Sequence, residues 1–201
     1  MSQFPLPLSW DGGSAERAFL LSECNAHVAR HLDRWAEWPV RTSVLVGPPR
    51  SGKTTLGNHF ARNSGGRVID NADRQDDEAL FHAWNDAQTG GTPLLLIADQ
   101  APAAWGVTLP DLRSRLAAAP VLEIGLPDEA LVLALVEAHL AHVGIAYAPD
   151  LPAYLLRRIE RSYAAVAQAL DLLVNANLAS GRRLTVPLAK EALQSAGFSH
   201  I

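Results

Sequence analysis

Gly47-Pro48-Pro49-Arg50-Ser51-Gly52-Lys53-Thr54 is the stretch on which the reading of this chain turns, and Thr55 continues it. These residues satisfy G-x-x-x-x-G-K-[ST]. Just before them, Thr42–Val46 is a short strand candidate; just after, a helical pattern runs to about Asn63, where Gly65-Gly66 stops it. A strand, a glycine-containing loop and a helix, in that order, form the context in which this motif cradles phosphate. Backbone N–H groups and the helix N-terminus supply fixed positive dipoles, Lys53 reaches the terminal phosphates, and the Thr54 hydroxyl is a ligand for Mg²⁺. The expected ligand is a nucleotide held by residues 47–55.

The flanking sequence extends the α/β pattern. Residues 25–35 place Ala26, Val28, Ala29, Leu32 and Trp35 on one helical face. Residues 67–70 form a very short strand candidate, residues 77–88 a helix with Leu80, Phe81, Trp84 and Ala87 inward, and residues 92–98 a fully apolar strand. Alternating strands and helices predict a parallel sheet. From Pro127 the pattern becomes helical throughout. Asp128 and Glu129 fall in a first turn, Gly144 stops the apolar run 131–143, and further helices fit 151–160, 163–179 and 187–196. The expected organisation is an extended arm at 1–15, which holds Pro5, Pro7, Gly12 and Gly13, then an α/β core at 16–125 and an all-helical lid at 126–201.

Composition narrows the function classes. A chain of 201 residues with 48% hydrophobic and 19% charged residues builds one globular core with an appendage. A net charge of −4 gives no global reason to bind nucleic acid, and the basic strip Arg157, Arg158 and Arg161 is local, so no direct sequence-specific DNA binding is expected. Cys24 is the single cysteine, the N-terminus lacks the pattern of a secretory signal, and no apolar run is long enough for a bilayer. A cytoplasmic protein with no membrane partner is expected. His27/His31 and His139/His142 have helical spacing, but no Cys or acidic cluster completes a metal set around either pair. The tryptophans are scattered and read as packing residues, and Asp76-Asp77-Glu78 as a helix cap.

A P-loop site also needs an acid at a strand end to hold Mg²⁺. Leu94-Leu95-Leu96-Ile97-Ala98-Asp99 is the fuller apolar run with a terminal acid, and Arg67-Val68-Ile69-Asp70-Asn71 the shorter one. By pattern alone Asp99 is preferred.

Several stretches, in order along the chain, resemble the Hda family, the DnaA-related regulators of the AAA+ class. Ala18-Phe19-Leu20-Leu21-Ser22 with Asn25 is similar to the family's segment that approaches adenine, and Leu32-Asp33-Arg34-Trp35 with Trp38-Pro39 to its lead-in to the first strand. Phe81-His82-Ala83-Trp84-Asn85 stands between Asp70 and Asp99-Gln100-Ala101-Pro102. Leu109-Pro110-Asp111-Leu112-Arg113-Ser114-Arg115-Leu116 resembles the box that carries an arginine finger, and Arg157-Arg158-Ile159-Glu160-Arg161-Ser162 the opening of the sensor-2 helix. The resemblance reverses the preference between the acids. It implies that Asp70 is the Walker B acid, sharing Mg²⁺ with Thr54, and that Asp99 holds the sensor-1 position. It further implies ADP or ATP as cofactor with Mg²⁺, Phe19 and Leu20 beside the base, and Arg115 as the finger with Arg113 as second choice. A structural alternative for Arg115 is a surface pair with Asp111, four residues earlier, worth about 0.3–0.5 kcal/mol.

Gln3-Phe4-Pro5-Leu6-Pro7-Leu8 resembles the family's clamp-binding motif, with Gln3, Phe4, Leu6, Pro7 and Leu8 as contacts. The implied partners are the DnaA initiator and the DNA polymerase sliding clamp (beta), and a homo-oligomer is left open. The implied function is to promote, with the DNA-loaded clamp, ATP hydrolysis by DnaA. A catalytically silent adaptor and an autonomous ATPase of helicase-loader or chaperone type are the rival readings. There are departures from the family pattern. Only about a dozen residues separate the P-loop helix from residue 67, so one strand and its helix are missing and a four-stranded sheet is expected. Asn71 stands in place of a second acid, and Ala164 where a sensor-2 arginine is expected. Both remove charge that would act on a γ-phosphate, which makes weak or absent intrinsic hydrolysis an expectation. The sequence ends at Ile201, where the family's initiators continue into a helix-turn-helix domain, and so points to a regulator and not an initiator.

Overall fold

The structure is a computed structural model and describes residues 19–198. The N-terminal motif at Gln3, Phe4, Leu6, Pro7 and Leu8 lies outside the described residues. The chain divides into two compact units, one of Glu23–Gly125 and one that takes in the residues from Leu126 onward together with residues 19–22.

The first unit is an α/β core. A four-stranded sheet has the order β2-β3-β1-β4, with β1 Thr42–Val46, β2 Arg67–Ile69, β3 Leu94–Ala98 and β4 Val121–Glu123, and every pairing is parallel. All residues of β1 and β3 are buried because these are the inner strands, covered on both faces. That is why β3 is a continuous apolar run and β1, after Thr42 and Ser43, is apolar from Val44 to Val46 with no alternation. On one face Val44, Val46, Leu94 and Leu96 pack with Leu80, Ala83 and Trp84 of α3 (Asp77–Gly90) and with Leu112 and Leu116 of α4 (Pro110–Ala118). Leu45, Leu95 and Ile97 point the opposite way and are fully buried, as are Leu56 and Phe60 of α2 (Lys53–Ser64). Each such side chain contributes about 1.5–3 kcal/mol on leaving water.

Most element ends fall where the residues predict, and the differences have local causes. β3 starts at Leu94 and not at residue 92, because Pro93 has no N–H to donate; its carbonyl instead accepts from Arg67 N at 2.9 Å. Helix α1 is Ala26–Asp33, shorter than the predicted 25–35, and Trp35–Glu37 forms a 3-10 turn. The cause is Trp38, whose indole N–H donates to His31 O at 3.0 Å and whose ring stacks between His31 and Phe60. α2 ends at a left-handed Gly65 (φ 64°). Gly66 is required by space: a Cβ there would lie 2.7 Å from Phe60 Cε1 and 2.7 Å from the Pro93 carbonyl. Edge strand β4 is three residues long, with half-buried Leu122 between exposed Val121 and Glu123, too short a run for a pattern to announce it.

The second unit is all-helical: α5 Glu129–His142, α6 Leu151–Leu156, α7 Tyr163–Ser180 and α8 Val186–Ser195. Its core holds Val136, Leu140, Leu151, Leu155, Ala169, Leu173 and Leu184. Asp128 and Ser162 cap α5 and α7, accepting from Leu131 N at 2.7 Å and Ala165 N at 3.2 Å. α6 stops at Leu156, short of the predicted residue 160, where Arg158 and Ile159 N–H groups both close onto the Leu155 carbonyl. A bridge between Tyr147 and Leu184 ties the loop before α6 to the loop before α8. The chain is thus an α/β protein: a P-loop core on a short parallel sheet, and a helical lid.

Candidate functional site

The loop 47–52 joins β1, an inner strand, to α2 at the C-terminal edge of the sheet. Gly52 has φ +90°, a left-handed conformation that favours glycine, and it places Lys53 and Thr54 in the first turn of α2. Arg50 is also left-handed, at φ 64°, an unusual conformation for a residue with a Cβ. The N-terminus of α2 has no side-chain cap and no acidic residue in its own first turn, so no side chain of the helix occupies its N-terminal N–H groups. The Ser51 hydroxyl is buried and has no hydrogen-bond partner among the described residues. A buried orphan donor inside a phosphate-binding loop fits a ligand oxygen.

Lys53 is buried, and its ammonium donates to Gly47 O at 2.7 Å, Pro48 O at 3.0 Å and Asp99 Oδ1 at 3.0 Å. Register explains the last contact. Val46 pairs with Ala98, so Gly47 and Asp99 leave the sheet side by side. The loop after Asp99 is braced by Trp105, whose indole N–H donates to Gln100 O at 2.8 Å. On the outer strand Ile69 pairs with Leu96, and Asp70 follows. The Thr54 hydroxyl donates to Asp70 Oδ2 at 2.7 Å, and Asn71 N donates to Asp70 Oδ1 at 2.9 Å. The two acids are therefore separated by role: Asp99 meets the loop lysine, Asp70 meets the loop threonine. Thr54 and Asp70 form a pair of hard oxygen donors whose chemistry would suit Mg²⁺. Phe19 is buried and Leu20 partly buried. Pro49 and Arg50 are exposed, and Thr55 partly buried.

Among the described residues Arg115 forms no ion pair with Asp111, its suggested surface partner. Its Nη1 donates to Asn85 Oδ1 on α3, and its guanidinium carbon sits 4.3 Å from the centre of the Phe81 ring. The interaction needs α3 and α4 side by side, which helical spacing within α4 does not reveal. Arg113 is used locally, donating to Val107 O at 2.6 Å. The lead into α4 is also anchored to α3: Asp77 Oδ2 accepts from Thr108 N, Thr108 Oγ1 and Leu109 N at 2.7, 2.7 and 3.0 Å. Those bonds hold the Asp77 carboxyl below its ordinary 3.8. Within the stretch Asp76-Asp77-Glu78, read from sequence as a helix cap, Asp76 is the cap, accepting from Ala79 N, and Asp77 and Glu78 lie in the first turn. His27 Nε2 lies 3.0 Å from Glu123 O and His31 Nε2 lies 3.0 Å from Ser43 Oγ. Among the described residues no helix is long and apolar enough to cross a membrane. Ala164 is exposed in the first turn of α7.

Comparison with known proteins agrees with this architecture. Residues 128–193 match the family described as Hda, lid domain. An uncharacterized protein of Haemophilus influenzae is 36% identical over 117 residues, which cover 57% of this chain and 50% of that protein. The match thus spans half the length of this relative. Domain III of the Thermotoga maritima replication initiation protein DnaA superposes with a TM-score of 0.73 at 15% identity, covering 87% of this chain and 93% of that one. AMPPCP-bound DnaA from Aquifex aeolicus gives 0.59 at 18% identity, covering 78% and 63%. The Thermotoga maritima RuvB Holliday junction branch migration motor gives 0.63 at 15%, covering 83% and 65%. The parallel sheet, the P-loop ahead of α2 and the helical unit give the chain the fold it shares with DnaA domain III and RuvB. Its helical unit, residues 128–193, is similar to the Hda lid domain.

Proposed function

We propose that this chain is an adenine-nucleotide-binding regulator of replication initiation which, together with the DNA-loaded sliding clamp, promotes ATP hydrolysis by the DnaA initiator. The observation that carries the proposal is an Hda-type lid at 128–193 joined to a P-loop core. In this reading residues 47–55 hold the phosphates of ADP or ATP, with Lys53 countering their charge and Ser51 offering its unpaired hydroxyl. Thr54 and Asp70 hold Mg²⁺, and Asp99 orients the Lys53 ammonium from the sensor-1 position. Mg²⁺, when bound there, would supply positive charge against the phosphates. Phe19 and Leu20 approach the base. Arg115 acts in trans on ATP held by the initiator, where a permanently charged, two-pronged donor meets the charge that develops on the transferred group. Gln3, Phe4, Leu6, Pro7 and Leu8 dock on the clamp.

The test is single-turnover hydrolysis of ATP preloaded on DnaA, with and without this chain and with and without clamp on DNA. Acceleration that needs both, and that disappears on deleting residues 1–8, is the expected result. Acceleration without the clamp removes the clamp from the proposal, and no acceleration under any condition leaves the adaptor reading. Turnover by this chain alone at a comparable rate favours the autonomous ATPase.

A further inference from the structure

We propose that the Arg50 side chain is a ligand for the terminal phosphate of a nucleoside triphosphate and thereby sets the preference of the loop between ATP and ADP. The inference rests on the reading of residues 47–55 as the nucleotide site, and it assigns a selecting role within that site which the loop backbone and Lys53 do not cover.

The turn that carries Arg50 suits a different residue. Ser51 N donates to Pro48 O at 3.3 Å and closes a four-residue turn in which Pro49 is second and Arg50 third. Arg50 has φ 64°. A third residue with positive φ is the place glycine takes in a type II turn, because a Cβ there crowds the carbonyl that follows. Among the described residues, Arg50 and Asn71 are the non-glycine residues with positive φ. Asparagine has a short polar side chain that tolerates this region; arginine does not. Glycine would form the turn more easily, and backbone strain of this kind collects at ligand-binding sites.

The surroundings point to the ligand. Ser51 and Lys53 are buried, the Ser51 hydroxyl has no hydrogen-bond partner among the described residues, and its oxygen lies 3.2 Å from where a Cβ on Gly47 would stand. The orphan hydroxyl is thus inside the curl of the loop, where an anionic oxygen satisfies it. Arg50, the residue before it, is exposed at the rim. An enclosed phosphate is met by the backbone, Ser51 and Lys53, and the guanidinium meets the part of the ligand that projects beyond them.

Charge gives the direction of the preference. Residues 47–55 contain two cations, Arg50 and Lys53, and no anion. Lys53 contacts Asp99 at 3.0 Å and the Thr54 hydroxyl contacts Asp70 at 2.7 Å, so two carboxylates border the loop against one buried ammonium. Neither Asn71 nor Ala164 adds charge. A third phosphate brings further negative charge to this place, and its outer oxygens match the planar fork of a guanidinium.

The experiment measures binding of ADP and of the non-hydrolysable triphosphate AMPPCP by calorimetry at fixed Mg²⁺. It uses the full chain and its variants Arg50→Gly, Arg50→Gln and Lys53→Ala, with the melting temperature of the ligand-free protein as a second readout. Arg50→Gly removes the strain together with the charge. Its AMPPCP affinity should fall about tenfold or more, the loss expected for one charge-assisted hydrogen-bonding group, while ADP affinity and melting temperature hold. Arg50→Gln keeps the strain and drops the charge, so it should lose AMPPCP affinity to the same degree. A purely structural role for Arg50 would move the melting temperature and leave the ratio of the two affinities alone. An unchanged ratio in Arg50→Gly, whether both affinities hold or both fall together, overturns the selecting role, as does wild-type AMPPCP affinity in Arg50→Gln. Lys53→Ala separates that failure from failure of the site itself. If the wild type binds neither nucleotide, or Lys53→Ala binds both as well as the wild type does, residues 47–55 are not the nucleotide site and the role of Arg50 falls with them.

Discussion

Lys53 and Asp70 serve different parts of one ligand, and single substitutions separate them. The Lys53 ammonium reaches the loop carbonyls and Asp99, so Lys53→Ala removes the positive charge from the centre of the loop and leaves the backbone of 47–52 in place. Asp99 then loses its partner, but its side chain is 45% exposed and water replaces the lysine at small cost. A charge-assisted bond to phosphate contributes about 1.5–3 kcal/mol. ADP affinity should therefore fall by about 10–100-fold or more, with little change in melting temperature; calorimetry giving equal affinities would reject the loop as the nucleotide site. For the acids, Asp70→Asn should weaken the Mg²⁺ dependence of nucleotide binding more than Asp99→Asn, because Asp70 and not Asp99 touches the Thr54 hydroxyl. Titration of Mg²⁺ at fixed ATP measures this, and the reverse order would return the metal to the end of β3. The decision between these acids was not legible from strand pattern, which favoured Asp99. It depends on which strand borders β1, and that is a property of the sheet.

Elements announced themselves to the degree that their sequences carried a period or a stop. β3 is an uninterrupted apolar run, β1 ends in the apolar Val44-Leu45-Val46 just ahead of the loop, α3 carries Leu80, Ala83, Trp84 and Ala87 at helical spacing, and α2 ends on Gly65. All of these could be read along the chain. β4 could not, being an edge strand of three residues whose place is fixed by its pairing with Val44, Leu45 and Val46. Neither could the early end of α1, set by the Trp38 indole reaching back to His31 O, nor the Arg115 contact with α3. Each depends on a partner distant in sequence or across a turn. Gly66 shows how an apparent stop signal carries a second constraint. It was read as part of a helix terminator, and Gly65 already supplies the left-handed cap. Gly66 is needed because the chain passes against the Phe60 ring and the Pro93 carbonyl on its way into β2. Gly66→Ala should destabilise the core unit by about 1–3 kcal/mol, although alanine ordinarily restricts the unfolded chain and stabilises. Gly65→Asn, which keeps a residue tolerant of the left-handed conformation, should cost less. Urea denaturation of the two variants side by side decides it, and an equal or smaller effect at Gly66 would mean that the α2–β2 turn relaxes to admit the methyl group.

At the scale of the molecule, acid should loosen the α/β core, and the sign follows from two imidazoles, His59 buried and His31 half-buried. His59 on α2 is pushed below its ordinary 6.5 by desolvation, against the opposing pull of Asp33, whose Oδ1 lies 3.3 Å from Nε2. His31 on α1 is lowered as well, by burial, and stacks on Trp38 with ring centres 5.1 Å apart. Both histidines belong to the packing of α1 and α2 behind β1: His31 reaches Ser43 of that strand, and Trp38 carries the stack on to Phe60. In the unfolded chain each takes up a proton as pH falls through 6.5, whereas in the folded chain each stays neutral until a lower pH. The unfolded state therefore binds more protons in that window, and stability rises with pH across it. The loss begins as pH drops below 6.5 and saturates once the folded-state imidazoles are themselves protonated. Asp77, held below 3.8 by Thr108 and Leu109, contributes stability that is present above that value and is lost only in stronger acid, so its titration does not overlap the histidine window. Denaturation curves collected from neutral pH downward should show a first decline below 6.5 and a second in the carboxylate range. His59→Gln keeps an amide able to bond Asp33 and removes one proton from the balance, so its first decline should be shallower than that of the wild type. An identical slope in the two proteins would assign the first decline to His31 or to groups outside this cluster.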